Sequence, residues 1–186
     1  MIKLFSTITL SISAFFVSAQ STELCIPQST QFDPALLTAD KTIRVSSDAA
    51  QMIQNSSALF NGNVTITSQN SMINANVAQM DDNGKQVTAS GDVLYRDQAL
   101  QIESQGVELN SDLQLLQMQD TEYQFKDIAG RGSAGLLSLS GEQGLRLEQV
   151  SFTTCPKGGE DWKMFASEIV IGKDSPFGEA YNTKFY

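Results

Sequence analysis

Phe60-Asn61-Gly62-Asn63-Val64-Thr65-Ile66 and Ala89-Ser90-Gly91-Asp92-Val93-Leu94-Tyr95 are two copies of one motif, and their reading decides the fold. In each copy a glycine followed by Asn or Asp opens a short stretch in which apolar and polar residues alternate. The two glycines stand 29 residues apart, within the range where a fixed period marks stacked supersecondary units. Looser copies without the glycine follow at Asp120-Thr121-Glu122-Tyr123-Gln124-Phe125 and Glu148-Gln149-Val150-Ser151-Phe152. The chain therefore reads as a stack of β units.

The segments around the motif agree. Strands begin at Thr42 to Val45. Ile73, Ala75 and Val77 alternate with Asn74, Asn76 and Ala78, the period of two expected of a strand wet on one face. Asp81-Asp82-Asn83-Gly84 is a hairpin turn by composition, and Val87 to Tyr95 returns as the next strand. Leu100 and Ile102 alternate in one phase and Val107 and Leu109 in the other, which predicts a bulge or turn across Ser104-Gln105-Gly106. Leu113 to Met118 is short enough to read as strand despite Leu115-Leu116. Tyr123 and Phe125 share a face, Gly130-Arg131-Gly132 breaks the run, and Leu136–Leu139, Leu145–Phe152 and Trp162–Ile171 supply three more strands. No segment carries a sustained 3.6-residue stripe with caps. The fold class is all-β.

At 186 residues the chain has material for one domain with a real core. Its 12 basic and 21 acidic residues give a net charge of −9, which repels phosphate and argues against nucleic acid as a partner. Histidine is absent from the sequence, which removes the usual general base and the commonest metal ligand. At the start, Lys3 precedes an apolar and hydroxylic run from Leu4 to Val17, and Val17-Ser18-Ala19 offers a small-residue cleavage pattern. Residues 1–19 are read as an export signal, 20–41 as an extended, turn-rich leader with Pro27 and Pro34, and 42–186 as the folded domain. Export places Cys25 and Cys155 where disulfides persist. They pair with each other or with something outside this chain, and the spacing does not choose.

Several motifs invite a chemical reading that their surroundings refuse. Gly130-Arg131-Gly132-Ser133-Ala134-Gly135 matches GxGxxG, but Gly141 and Gly144 follow where a phosphate-facing helix would have to run; a glycine-rich turn is expected instead. Asp81 to Gly84 resembles part of a calcium loop, but Gln79 and Ser90 occupy its first and twelfth ligand positions. Acidic pairs such as Asp81-Asp82 and Glu160-Asp161 read as solvated turns, and Trp162 near Cys155 as a packed ring. No enzyme, cofactor or metal is indicated. What remains is an apolar stripe of Val64, Ile66, Ile73, Ala75, Val77, Val93, Tyr95, Ile102, Val107, Leu109, Tyr123, Phe125, Leu147 and Phe152. Periodicity alone reads it equally as a sandwich core or as the wall of a groove for apolar ligands.

Val150-Ser151-Phe152-Thr153-Thr154-Cys155-Pro156 through Trp162, Ala166-Ser167-Glu168-Ile169, and Ala180-Tyr181-Asn182-Thr183-Lys184-Phe185 resemble one family. It is that of the periplasmic N-terminal domain of the lipopolysaccharide-assembly protein LptD, the organic solvent tolerance family. The glycine motifs are shared with bridge components of the LptA type, while Ser-Phe-Thr-Thr-Cys is the discriminating block. The resemblance implies an OstA-like β-jellyroll, a folded-over antiparallel sheet whose interior holds lipid acyl chains, with the stripe as the contact surface. It implies lipopolysaccharide as cargo, LptA as a partner by edge-strand pairing, and a location at the periplasmic face of the outer membrane. In the family a long barrel follows, binding the lipoprotein LptE and carrying cysteines to which Cys25 and Cys155 would be joined. This sequence stops at Tyr186, as a fragment or a truncated product would. The rival expectation is a closed sandwich that docks through its edge strands.

Overall fold

The computed structural model describes residues 43–53, 57–68, 70–81, 84–127, 130–159 and 161–186. These form strands β1 (Arg44–Ser46), β2 (Ala49–Ile53), β3 (Ser57–Ser68), β4 (Ser71–Asp81), β5 (Gln86–Arg96), β6 (Leu100–Asn110), β7 (Leu115–Phe125), β8 (Arg131–Ser140), β9 (Gly144–Thr153), β10 (Met164–Ile171), β11 (Gly178–Tyr181) and β12 (Lys184–Phe185). The eight long strands β3 to β10 form an antiparallel meander, each paired with its neighbours in sequence. Short strands finish both edges: β1 and β2 both lie along β3, and β11 and β12 both lie along β10. The segments expected to be signal and leader, with Cys25, lie outside the described residues.

The repeated motif marks a line of corners across this sheet. Asn63, Asp92, Asp120, Gln149 and Asn182 all adopt left-handed backbone, with φ of 47°, 48°, 48°, 54° and 51°. Asn and Asp tolerate that conformation better than most side chains. In β3 and β5 the residue before is a glycine, also at positive φ (Gly62 77°, Gly91 79°), and the strand carries one extra residue against β4 and β6. Glycine is required here, because a Cβ on Gly91 would lie 2.8 Å from Asn76 Nδ2 and one on Gly62 2.5 Å from Asp48 Oδ2. Asn76 Nδ2 in turn donates to Asp92 at 3.3 Å, and Asn63 Nδ2 to Asp48 at 2.8 Å. The looser copies keep the left-handed residue at Asp120 and Gln149 without a change of register.

The remaining long strands change phase at the corner. Inward residues step from Ala75 to Ala78, Ser104 to Val107, Met118 to Thr121, Ala134 to Leu137, Leu147 to Val150 and Ala166 to Ile169. The predicted irregularity across Ser104-Gln105-Gly106 is one of these steps. The same step corrects the placement of Val77. It was expected on the inner face, but the shift between Asn74 and Val77 turns it outward, half-buried, and Ala78 takes the inner position at 1% exposure.

Two apolar ladders flank the corners. On one side Ile66, Ile73, Tyr95, Ile102, Tyr123, Gly132, Phe152 and Met164 are cross-strand partners in succession. On the other run Phe60, Ala78, Ala89, Val107, Met118, Leu137, Leu147, Ile169 and Ala180. Residues of both ladders belong to one buried cluster, so the sheet is folded over and the ladders face each other. Full burial of one large apolar side chain contributes roughly 1.5–3 kcal/mol, and Ile102 and Leu137 are wholly buried.

Other expectations need adjustment. Leu113 is 62% exposed in the turn before β7, which begins only at Leu115. The run expected as a glycine-rich turn is strand from Arg131 onward. Its glycines answer crowding instead: Gly132 sits between the large ladder members Tyr123 and Phe152, which lets the Tyr123 hydroxyl donate to the Ser151 carbonyl at 2.8 Å. Strands β2, β11 and β12 were not anticipated.

Candidate functional site

Beyond the second ladder lies a third row, at the free ends of the strands: Val87, Leu109, Leu116, Leu139, Leu145 and Ile171, again partners in succession. They line a cavity of about 820 Å³ whose other wall is Ile66, Ile73, Tyr95, Leu100 and Phe125. The size falls in the range of ligand sites, ≈ 300–1,000 Å³. A second apolar cavity of about 190 Å³ lies toward the β11 edge, between Tyr123, Phe125, Leu147, Phe152, Met164, Ile169 and Ala180. The inner face is thus close-packed near the corners and open toward the lips.

Polar groups are confined to the rim. The charged side chains lining the larger cavity are Asp97 and Lys173. Asp97 caps the β5–β6 turn by accepting from Ala99 N at 2.8 Å and Leu100 N at 2.7 Å, and its other oxygen accepts the Tyr95 hydroxyl at 2.9 Å. Burial, then the Asp97 charge, pushes the Tyr95 phenol well above its ordinary range; burial does the same to Tyr123. Lys126 donates to the Asp97 carbonyl, and burial lowers its affinity for a proton. This arrangement can hold an apolar guest and offers no nucleophile paired with a base. Among the described residues no group of three or more His, Cys, Asp or Glu could hold a metal ion.

The fourteen residues of the predicted stripe divide among the two cavities, the packed core and the outer face. Ile66, Ile73, Tyr95, Leu109 and Phe125 line the larger cavity, and Tyr123, Phe125, Leu147 and Phe152 the smaller. Val64, Ala75, Val93, Ile102 and Val107 are packed core that touches neither. Val77 faces out. The third row was largely missed: Leu116 lies in the doublet Leu115-Leu116, where alternation breaks, and Val87, Leu139, Leu145 and Ile171 simply continue the alternation of the buried residues Ala89, Leu137, Leu147 and Ile169. Their one signal was a large aliphatic residue next to each hairpin turn.

Near the far edge, Arg131 Nε donates to the Cys155 carbonyl at 2.6 Å and its terminal nitrogen to the Pro156 carbonyl at 2.8 Å. Cys155 is 1% exposed and disulfide-bonded. Trp162 packs on Phe152 with ring centroids 5.9 Å apart.

A single antiparallel sheet, folded along a line of corners around an apolar space that opens at its lips, defines a half-open β-jellyroll. Residues 44–177 match the family model described as LptA/(LptD N-terminal domain) LPS transport protein. The chain belongs to that family, which is one of transport proteins and not of enzymes. It is 37% identical over 177 residues to the LPS-assembly protein LptD of Pseudoalteromonas atlantica, covering 95% of this chain and 23% of that protein. With the LPS-assembly protein LptD of Idiomarina loihiensis it shares 32% identity over 144 residues, 77% of this chain and 19% of that one. The chain thus spans about a fifth of the length of the curated relatives it matches. Among solved structures it is similar to LptH, the LptA-homologous periplasmic component of the lipopolysaccharide transport device of Pseudomonas aeruginosa. The TM-score is 0.48 and the identity 15%, over 54% of this chain and 76% of that one.

Proposed function

We propose that this chain carries lipopolysaccharide at the periplasmic side of the outer membrane, holding the acyl chains between the lips of the folded sheet. The single observation that supports this most directly is the cavity of about 820 Å³ walled by the third row on one side and by Ile66, Ile73, Tyr95, Leu100 and Phe125 on the other. Each methylene moved from water into such a space gains about 0.8 kcal/mol, so a few chains suffice without ion pairs. With a net charge of −9 the domain leaves the anionic head group in solvent. Cargo arrives from an LptA-type bridge whose edge strand pairs with the β1/β2 edge. It leaves toward a following barrel, with LptE as that barrel's partner.

The test is photocrosslinking of purified lipopolysaccharide to probes at Ile66 or Tyr95 and, as outward controls, at Thr65 and Val77. Labelling confined to the inner pair is expected, and equal labelling of both faces refutes the reading. A docking module with no lipid is the second reading, favoured by the two edges β1/β2 and β11/β12, which pair with nothing further among the described residues. Native mass spectrometry separates the two, since only the carrier retains a lipid mass.

A further inference from the structure

The two apolar cavities border each other, and the residues that line both are Phe125 and Ile171. Phe125 ends β7 at one lip, and Ile171 ends β10 at the other. On the β3 side of this pair the space is about 820 Å³; on the β11 side it is about 190 Å³. We propose that Phe125 and Ile171 form a partition that divides the acyl-binding space into a wide compartment for several hydrocarbon chains and a narrow one near the β11 edge for one. The proposal rests on the acyl-carrier reading and deepens it.

Both members are backed by glycine. A Cβ on Gly130 would come within 2.6 Å of the Phe152 ring and 3.2 Å of the Phe125 ring, so only glycine lets the two rings settle there. Phe125 is fixed by its amide, which donates to the Gly130 carbonyl at 2.8 Å, and its ring meets Tyr123 edge-on at 5.6 Å. Ile171 pairs with Gly178, where an added Cβ would lie 3.1 Å from Ile171 Cγ1. Each residue is half-buried, unlike the ladder members beside it, Tyr123 and Ile169. The backbones are pinned and the side chains project into unfilled space, which is what a partition between two compartments requires. A multi-chain amphiphile entering at the β3 side must then thread its chains past this pair one at a time.

The experiment uses the full chain with a photoreactive residue at Leu116 (wide compartment) or Ala180 (narrow compartment), and two probes, purified lipopolysaccharide and a single-chain fatty acid. In the parent chain, lipopolysaccharide labels Leu116 strongly and Ala180 weakly, while the fatty acid labels both. Phe125→Ala raises lipopolysaccharide labelling at Ala180 on the order of fivefold, the ratio that removing about 1 kcal/mol of barrier gives. Ile171→Ala does the same by an independent route, and Phe125→Trp lowers it. Unchanged Ala180 labelling in all variants, with Leu116 still labelled, overturns the partition and leaves the carrier reading intact. No adduct at Leu116 with either probe in the parent chain overturns both.

Discussion

Gly91→Ala tests the corner in β5. The substitution must hold an alanine at φ 79°, a strained conformation that costs an L-residue roughly 1–2 kcal/mol. Its Cβ would also stand 2.8 Å from Asn76 Nδ2 and 2.9 Å from Asn76 Cβ. Asn76 must therefore swing away and give up its bond to Asp92, a further ~0.5–1 kcal/mol for an exposed hydrogen bond. The sum is roughly 1.5–3 kcal/mol, and at about 2–4 °C per kcal/mol for a domain of this size the melting temperature falls by roughly 3–12 °C. Circular dichroism melts of three further variants check the reasoning. Gly106→Ala, one strand away, places its Cβ 3.6 Å from the Ala89 carbonyl in ordinary contact and is expected to shift the melt by less than about 2 °C. Asn76→Ala alone loses the bond, but costs nothing more in the Gly91→Ala background, because the bond is already broken there. A Gly91→Ala protein that melts with the parent, or full additivity with Asn76→Ala, refutes the account of the corner.

Three other outcomes are expected. Leu137→Ala, at a wholly buried ladder position, lowers unfolding free energy in urea by about 2–5 kcal/mol, whereas Val77→Ala costs under about 1 kcal/mol. Ala78→Asp puts a charge into the core and abolishes cooperative unfolding, while Val77→Asp is tolerated; expression and melting of the pair check the phase shift. The phenols of Tyr95 and Tyr123 are raised above their ordinary value of 10.0. The folded state thus holds these protons more tightly than the unfolded chain, so their contribution is complete below about pH 10 and is lost as pH rises beyond it. Ultraviolet titration should show both silent until alkaline unfolding begins, and Tyr95→Phe with Tyr123→Phe should flatten the alkaline loss of stability.

The all-β class and the repeat were legible because a fixed spacing of Gly-Asx pairs and alternating residues leave little else for the chain to do. The phase change at Ser104 was legible because large residues stand on both sides of it. The equivalent change at Ala75–Ala78 was not, since Val77 continues an apolar alternation that Ala78 is too small to interrupt. The glycines of β8 misled for a related reason. A glycine in a strand signals either a break or a close approach, and only the identity of its cross-strand neighbours, Tyr123 and Phe152, tells which. For the site, alternation states which face a side chain takes. It is silent on where along a strand the sheet folds, so packed Val107 and cavity-lining Leu109 look alike in sequence. The edge strands β11 and β12 were missed because four and two residues are too few for a period.

The meander has one more implication. Every long strand is hydrogen-bonded to the strands before and after it in sequence, so among the described residues no strand pairing joins segments distant in sequence. The bore is set within each hairpin, by where its corner falls; the length is set by how many hairpins are stacked. Adding or deleting one hairpin would change the conduit by about 9.6 Å, twice the ~4.8 Å between adjacent strands, and leave its cross-section alone. Reach and calibre are therefore separate quantities in this molecule, and selection can adjust one without disturbing the other.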